Sequence, residues 1–195
     1  MPLNGQKLDE QELLALALRD SATGRHDLAI EKLKSLIELD PNHAHALHML
    51  AAEHAQIGLL PRAISEFEKA LAVDPELHVA RFQMGLAHYA LSDLASAEAA
   101  WQPLKTLGEH HTLPLYATGL IQILREEFEQ AVRSLEMALT AEPEIPSLRK
   151  DIARSVERAR SQLSNDAKTG PQSGDMSKVL ASRYGTAANS EDDAP

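Results

Sequence analysis

The chain has 195 residues, of which 44% are hydrophobic and 4% aromatic, and its formal net charge is −10 at pH 7. This hydrophobic fraction is sufficient for a folded core, while the acidic surface disfavours binding to nucleic-acid phosphates. The absence of cysteine excludes disulfides, thiolate nucleophiles and cysteine metal sites.

Residues 1–9 read as a short N-terminal extension without a basic segment. The apolar run that follows is brief and falls inside the first predicted helix. The sequence therefore predicts neither a signal peptide nor membrane insertion, and it favours a cytoplasmic location.

The chain has an internal period of 34 residues. Its clearest markers are Pro41, Pro75, Glu109 and Pro143, each 34 residues after the one before. The segments before the prolines are also alike: LAIEKLKSLIELDP, RAISEFEKALAVDP and QAVRSLEMALTAEP. A fixed period of this length indicates an array of one duplicated unit. Four repeats are predicted, at residues 10–43, 44–77, 78–111 and 112–145.

Each repeat contains two segments in which apolar residues recur three and four positions apart, as expected for a pair of amphipathic helices. Gly24 and Gly58 are placed to end the first helices of repeats one and two, where the chain needs a positive φ. Asp40 is placed to end a second helix, because the residue before a proline is disfavoured in the helical region.

Repeat three departs from the others. It has Glu109 where the other repeats have proline, and it carries Pro103 inside its second helix. Proline removes a backbone donor and clashes with the preceding turn, so the sequence predicts a kink at this point.

Residues 147–163 form a further amphipathic segment, with Leu148, Ile152 and Val156 on one face and a row of basic residues on the other. This segment is predicted to be a helix that covers the apolar side of the last repeat. Residues 164–195 are rich in small and polar residues and are predicted to be disordered. Within them, residues 176–184 form a short island that could become helical.

The pattern of the four repeats resembles the tetratricopeptide repeat family. Small residues at the eighth and twentieth positions, a large apolar residue at the twenty-fourth and proline at the thirty-second are shared with it. The resemblance covers residues 10–145 and implies an all-α, right-handed superhelical solenoid of four helix pairs, capped by 147–163. It also implies a non-enzymatic module that binds other proteins.

In this family, peptides bind in a concave groove lined by the first helix of each repeat. The matching positions are mostly apolar or aromatic and imply a groove that holds an apolar peptide or helix of a partner protein. These predicted groove residues are Leu14, Leu18, His45, His48, Met49, Val79, Phe82, Leu86, Tyr89, Leu113, Tyr116 and Leu120. Ile123 and Leu124 lie at groove positions of repeat four as well. In the alternative interpretation, part of this apolar surface, especially Leu120, Ile123 and Leu124, is buried against neighbouring repeats and the capping helix.

A search for catalytic and metal-binding patterns gives little. The chain has no glycine-rich phosphate loop, no GxSxG and no HExxH motif. His45 and His48 lie three apart on one helix, but this spacing alone does not supply a metal site. His54 and His88 share the eleventh repeat position and are interpreted as packing residues, whereas His110 and His111 are expected to be exposed.

The sequence thus predicts a chaperone-like adaptor or assembly factor that is not an enzyme and needs no cofactor or metal. Two alternatives stay open: a homo-oligomeric scaffold, and a groove covered by the chain's own residues 176–184. The partner's identity is not specified by this sequence.

Overall fold

The computed structural model describes residues 8–141 and 146–169, and side chains only as far as Asn165. All regular structure in these ranges is helical. The elements are α1 (Glu10–Ala22), α2 (His26–Leu39), α3 (Ala44–Gln56), α4 (Leu60–Val73), α5 (His78–Ala90), α6 (Leu94–Trp101), a 3₁₀ helix (Gln102–Leu107), α7 (Thr112–Leu124), α8 (Phe128–Thr140) and α9 (Pro146–Thr169). The extension before Leu8, the repeat proline Pro143, the tail from residue 170 and the island 176–184 lie outside the described residues.

The helix ends follow from local chemistry. Asp9 accepts a hydrogen bond from the Glu12 N–H at 2.8 Å, and the Glu12 carboxylate accepts one from the Asp9 N–H, which makes a capping box at the start of α1. Gly24 and Gly58 have φ angles of 72° and 82°, as predicted for the ends of first helices. Asp40, directly before a proline, ends α2 in an extended conformation.

The described residues form two compact units, 8–80 and 81–169, with the boundary inside the first turn of α5. In the N-terminal unit, α1 to α4 form two helix pairs. Its core includes Ala17, Leu33, Leu36 and Leu50, which are buried. These residues occupy the apolar face predicted for each helix, so the periodic pattern of the sequence is what closes this core.

In the C-terminal unit, two glycines allow the first and second helices of a repeat to approach closely. A Cβ atom on Gly85 would lie 2.1 Å from Trp101 Nε1, and one on Gly119 would lie 2.5 Å from Leu135 Cγ. Both glycines occupy the eighth repeat position, and both large residues occupy the twenty-fourth. The small residue at the eighth position thus packs directly against the large residue at the twenty-fourth position of the same repeat.

The second helix of repeat three changes type at the residue before Pro103. α6 is α-helical only through Trp101, and the next six residues form a 3₁₀ helix that ends at Gly108, where φ is 101°. The missing donor of Pro103 explains why the α-helical pattern stops here. The kink predicted from the sequence is thus a change of helix type.

The last helix is longer than predicted. α9 begins at Pro146 and continues to Thr169, so the boundary placed at residue 163 is corrected. The segment after Leu163 contains neither glycine nor proline before Gly170 and Pro171. Nothing in the backbone preferences of this segment stops the helix earlier. Leu148, Ile152, Val156 and Ala159 are buried, which gives α9 one apolar face.

Candidate protein-binding surface

Five predicted groove residues of the N-terminal unit are at least partly accessible. Leu18 on α1 is 49% exposed, and His45 on α3 is also exposed. We call this set the first-helix face, and it consists of Leu14, Leu18, His45, His48 and Val79. Met49, the sixth predicted groove residue of this unit, is buried beside Leu50 in the core cluster.

The histidine rings of the first-helix face are ordered by aromatic contacts. The rings of His45 and His48 meet edge to face with centroids 5.8 Å apart. His48 also lies against Phe67, with a centroid distance of 6.0 Å. His48 is therefore anchored in the helix packing, whereas His45 stands at the surface.

The six predicted groove residues of the C-terminal unit are buried. They are Phe82, Leu86, Tyr89, Leu113, Tyr116 and Leu120. Ile123 is buried as well, and Leu124 is half-buried. The burial of these side chains agrees with the alternative interpretation that part of the set packs against neighbouring helices. Their role in peptide binding stays a prediction.

Three of these residues, Phe82, Tyr89 and Tyr116, belong to an aromatic cluster around Trp101. Phe82 lies between Trp101 and Tyr116, with ring centroids 5.8 Å and 5.4 Å away, and Tyr89 lies 6.3 Å from Trp101. The Trp101 indole N–H donates to the Phe82 carbonyl at 2.9 Å. Aromatic pairs stabilise a folded unit through the apolar area that they bury and through favourable contacts between the rings. This cluster is therefore part of the core of the C-terminal unit.

The two tyrosine hydroxyls of this cluster differ in their partners. The Tyr116 hydroxyl lies 3.2 Å from Ser155 Oγ on α9. The Tyr89 hydroxyl is buried without a hydrogen-bond partner in the described structure. Burial raises the pKa of the Tyr89 hydroxyl, and the positive charge of Arg158 acts in the opposite direction.

Basic residues of α9 pair with acidic residues of their own unit. Arg160 forms an ion pair with Glu136 on α8, and Arg154 lies 3.5 Å from Asp151 on the same helix. The arginines of these pairs are exposed, so this part of the basic row is a solvated face whose charge is offset by neighbouring carboxylates. They give no geometry specific for phosphate.

A buried carboxylate joins α3 to the first repeat. Glu53 accepts a hydrogen bond from the Ser21 hydroxyl at 2.5 Å, and its second oxygen lies 2.6 Å from His26 Nδ1. The serine and the histidine thus contact the same carboxylate. This arrangement differs from a serine–histidine catalytic pair, in which the histidine contacts the serine oxygen.

A second set of polar contacts repeats with the period of the chain. In repeat one, Asp20 Oδ2 lies 2.8 Å from Lys32 Nζ, and Arg25 contacts the other Asp20 oxygen at 2.6 Å. In repeat two, His54 Nδ1 lies 2.5 Å from Glu66 Oε2. The residues occupy the eleventh and twenty-third repeat positions in both cases. His54 is accordingly a packing residue held by a polar contact with Glu66.

The other histidines differ in exposure. His88 is half-buried, with its Nδ1 atom 3.7 Å from Asp93 Oδ2. His110 is exposed as expected, whereas His111 is half-buried. His111 Nδ1 accepts a hydrogen bond from the Leu113 N–H at 3.2 Å and so caps α7. Sequence reasoning missed this role because histidine is not among the common capping residues.

In the described part of the chain, no cluster of three or more His, Asp or Glu side chains has the geometry to hold a metal ion. Within the same residues, no helix combines the length and the hydropathy needed to cross a membrane.

No family model matches the chain. A curated relative, the small glutamine-rich tetratricopeptide repeat-containing protein 2 of Saccharomyces cerevisiae, is 22% identical over 145 residues, which are 74% of this chain. The chain spans 40% of the length of that yeast protein.

Solved structures show the same fold. A thermophilic tetratricopeptide repeat protein of Thermus thermophilus superposes with a TM-score of 0.63 and 23% identity, covering 90% of this chain and 97% of the other. The Cut9–Hcn1 hetero-tetramer of the APC/C gives a TM-score of 0.73 at 16% identity, over 90% of this chain and 33% of the other. The resemblance recognised in the sequence is confirmed: the chain has the all-α repeat fold of the tetratricopeptide repeat proteins.

Proposed function

We propose that this protein is a non-enzymatic interaction module that holds an apolar segment of another protein on its first-helix face. The fold is typical of modules that bind proteins. The observation that carries the finer proposal is the exposure of Leu18, which is 49% accessible beside the half-buried Leu14. An exposed leucine next to further apolar surface is typical of an interaction site.

The chemistry of this face favours an apolar partner over a charged one. Leu14, Leu18 and Val79 offer only hydrocarbon, and His45 adds an exposed ring. Related co-chaperones hold a C-terminal carboxylate with basic and amide residues. The matching positions in the first three repeats are Leu14, Leu18, Met49, Val79 and Gln83. None of them is basic, so these side chains do not form such a clamp. A hydrophobic anchor is the recognition mode that these side chains support.

Adaptor or assembly activity and a cytoplasmic location belong to this proposal as well. A role without catalysis is part of the proposal and follows the fold, which is typical of modules that bind proteins. The fold alone does not specify the biological role, which depends on the partner that binds to this face.

The test is affinity capture from a native lysate with the full chain as bait. We compare the wild type with a double variant, Leu18→Asp with His45→Asp, which places two charges on the first-helix face without opening the core. The double variant is expected to lose a protein that the wild type retains. Leu39→Asp is the matched control, since Leu39 is 41% exposed on the second helix of repeat one.

Equal recovery with wild type and double variant would contradict the proposal. Sedimentation of the full chain then separates the two alternatives: a concentration-dependent dimer indicates the homo-oligomeric scaffold. A monomer that captures a protein only after residues 176–184 are removed indicates that these residues had covered the face. Those residues lie outside the described part of the chain.

A further inference from the structure

A cleft of about 300 Å³ lies in the C-terminal unit between the second helix of repeat three and α7. Its apolar lining is formed by Trp101, Pro114, Ala117 and Ile121. Its polar lining includes Glu98, Lys105, Thr118, Gln122, Arg125 and Glu127. This volume is at the lower end of the range for small-ligand pockets and suits one or two side chains of a peptide.

The cleft is on the opposite side of α7 from the predicted groove residues. Successive residues of an α-helix are rotated by about 100°. Tyr116 and Leu120 therefore point to one side of α7, while Thr118 and Ile121 point roughly 100–160° away from them. The cleft is a separate surface, and it lies in a different unit from the first-helix face.

The cleft is specified by a local change in the repeat pattern. At the twenty-first and twenty-eighth positions, the other repeats have aliphatic residues where repeat three has Glu98 and Lys105. The aliphatic residues are Ile30, Ile64 and Val132 at the first position and Ile37, Leu71 and Leu139 at the second. Charged side chains avoid complete burial, so they keep this contact between helices open.

The first helix of repeat four shows a matching change. Thr118 and Arg125 stand where repeat two has Leu50 and Ile57. Thr118 is exposed, whereas Leu50 is buried. Both sides of the cleft are thus polar at positions that are apolar in repeat two. A polar lining on two facing helices is what a ligand with polar groups requires.

Charges of opposite sign are arranged along the cleft. Arg125, directly after the end of α7, forms an ion pair with Glu98 on α6. Lys105 follows Glu98 by about two helical turns, and it lines the cleft together with Pro114, which lies in the first turn of α7. Glu127 lies just beyond the other end of α7. With Arg125 neutralised by Glu98, the cleft has a cationic end at Lys105 and an anionic end at Glu127.

Gln122 supplies hydrogen-bonding capacity between these ends. Its Oε1 atom is buried and has no hydrogen-bond partner within the described structure. The terminal torsion of a glutamine side chain is broad, so the amide can turn toward a ligand. A primary amide can donate to a peptide carbonyl and accept from a peptide N–H.

We propose that this cleft binds an extended segment of about five residues from a partner protein. The segment has an acidic side chain beside Lys105, an apolar side chain against Trp101 and Ile121, and a basic side chain beside Glu127. α7 rises about 16 Å between Pro114 and Arg125. Five extended residues span about the same length. The site goes beyond the proposed function, because its lining residues belong to the C-terminal unit whereas the first-helix face belongs to the N-terminal unit.

The experiment uses blocked pentapeptides with leucine at the centre. One has glutamate at its N-terminal end and lysine at its C-terminal end, a second has the reverse order, and a third has glutamine at both ends. The reporter is the indole N–H of Trp101 in a ¹H–¹⁵N NMR spectrum of the full chain, since Trp101 is the only tryptophan. One charged order is expected to shift this signal and to bind about threefold or more tightly than the glutamine peptide.

Exchanging the two charges tests the assignment of the ends. The double variant Lys105→Glu with Glu127→Lys is expected to prefer the opposite order of peptide. Thr118→Tyr should abolish the shift by filling the cleft, while Thr140→Tyr should leave it unchanged. Thr118 and Thr140 are both exposed and both donate to a carbonyl of their own helix, so the pair is matched.

Three outcomes would overturn the inference: no shift of the Trp101 signal with any peptide, equal binding of charged and neutral peptides, or an unchanged preference in the charge-exchanged variant. Loss of capture by the Leu18→Asp and His45→Asp variant is a separate result. It concerns the first-helix face and leaves the Trp101 titration unaffected.

Discussion

His54 Nδ1 lies 2.5 Å from Glu66 Oε2, and this contact joins the end of α3 to the middle of α4 inside the N-terminal unit. Arg62 also donates to Glu66, at 3.1 Å. His54 and Glu66 are both buried. In the folded state the Glu66 carboxylate therefore has His54 and Arg62 as hydrogen-bond partners in place of water. A buried carboxylate with such partners stabilises the helix pair only while the partners remain.

Replacing Glu66 by alanine is therefore expected to destabilise the N-terminal unit by about 3 kcal/mol, because His54 loses its partner in a buried position. Urea unfolding monitored by circular dichroism measures this change. Glu68→Ala is the control, since Glu68 is exposed on the same helix. A Glu66→Ala protein as stable as Glu68→Ala would mean that the contact contributes no net stability.

Acid sensitivity is expected to involve Asp20. The hydrogen bond from Lys32, together with the positive charges of Lys32 and Arg25, holds the pKa of the Asp20 carboxyl below its ordinary value. A carboxyl whose folded pKa is lowered contributes stability above its unfolded pKa and loses it as the pH falls through the folded value. The difference in the free energy of unfolding between wild type and Asp20→Asn is therefore expected to be largest at pH 7 and to decrease below about pH 4.

Thermal unfolding of wild type and Asp20→Asn between pH 2 and pH 7 measures this dependence. The two unfolding temperatures should converge at the acidic end. Parallel curves over the whole range would show that Asp20 does not contribute through its charge.

The tyrosines of the aromatic cluster provide a matched pair. The Tyr89 hydroxyl is buried without a hydrogen-bond partner in the described structure, so Tyr89→Phe is expected to raise the free energy of unfolding by about 1 kcal/mol. Tyr116→Phe removes the contact with Ser155 and is expected to lower it by about 1 kcal/mol. Denaturant titration of the two variants should therefore give shifts of opposite sign. Shifts of the same sign would contradict the assignment of their partners.

Adding one methyl group at the glycines of the first helices is expected to be destabilising, although alanine has the better helix propensity. In Gly85→Ala the new Cβ meets the Trp101 ring, and in Gly119→Ala it meets Leu135. Each change is expected to cost about 1–3 kcal/mol. Tryptophan emission distinguishes them, since only Gly85→Ala displaces Trp101. An unchanged emission spectrum in Gly85→Ala would show that the ring is not in this contact.

Most of the fold could be predicted from the sequence because its period is strict. Asp40 and Gly24 mark helix ends by backbone preference alone, and the structure places the ends there. The change of helix type in repeat three followed from Pro103, since a proline acts locally. The sequence predicts too short an α9, because the polar composition of residues 164–169 indicates disorder. These residues contain neither glycine nor proline, so the helix continues through them.

The candidate site was less accessible to sequence reasoning. Family positions name the first-helix residues but do not tell how deeply neighbouring rings cover them, so the burial of Tyr116 and Leu113 required the structure. The cleft, in contrast, has a signal in the sequence. Aligning the second helices shows Glu98 and Lys105 at positions that are otherwise aliphatic, and this comparison could have found it.

The 3₁₀ helix also has a consequence for the dynamics of the C-terminal unit. Hydrogen bonds in a 3₁₀ helix have poorer geometry, and Pro103 contributes no donor. Lys105 and Thr106 are exposed to solvent in this segment. Local opening begins where few contacts hold the backbone, so amide hydrogens of residues 102–107 should exchange with solvent before those of α7 and α8. We therefore expect unfolding of this unit to start in a segment that contributes Gln102 and Lys105 to the cleft.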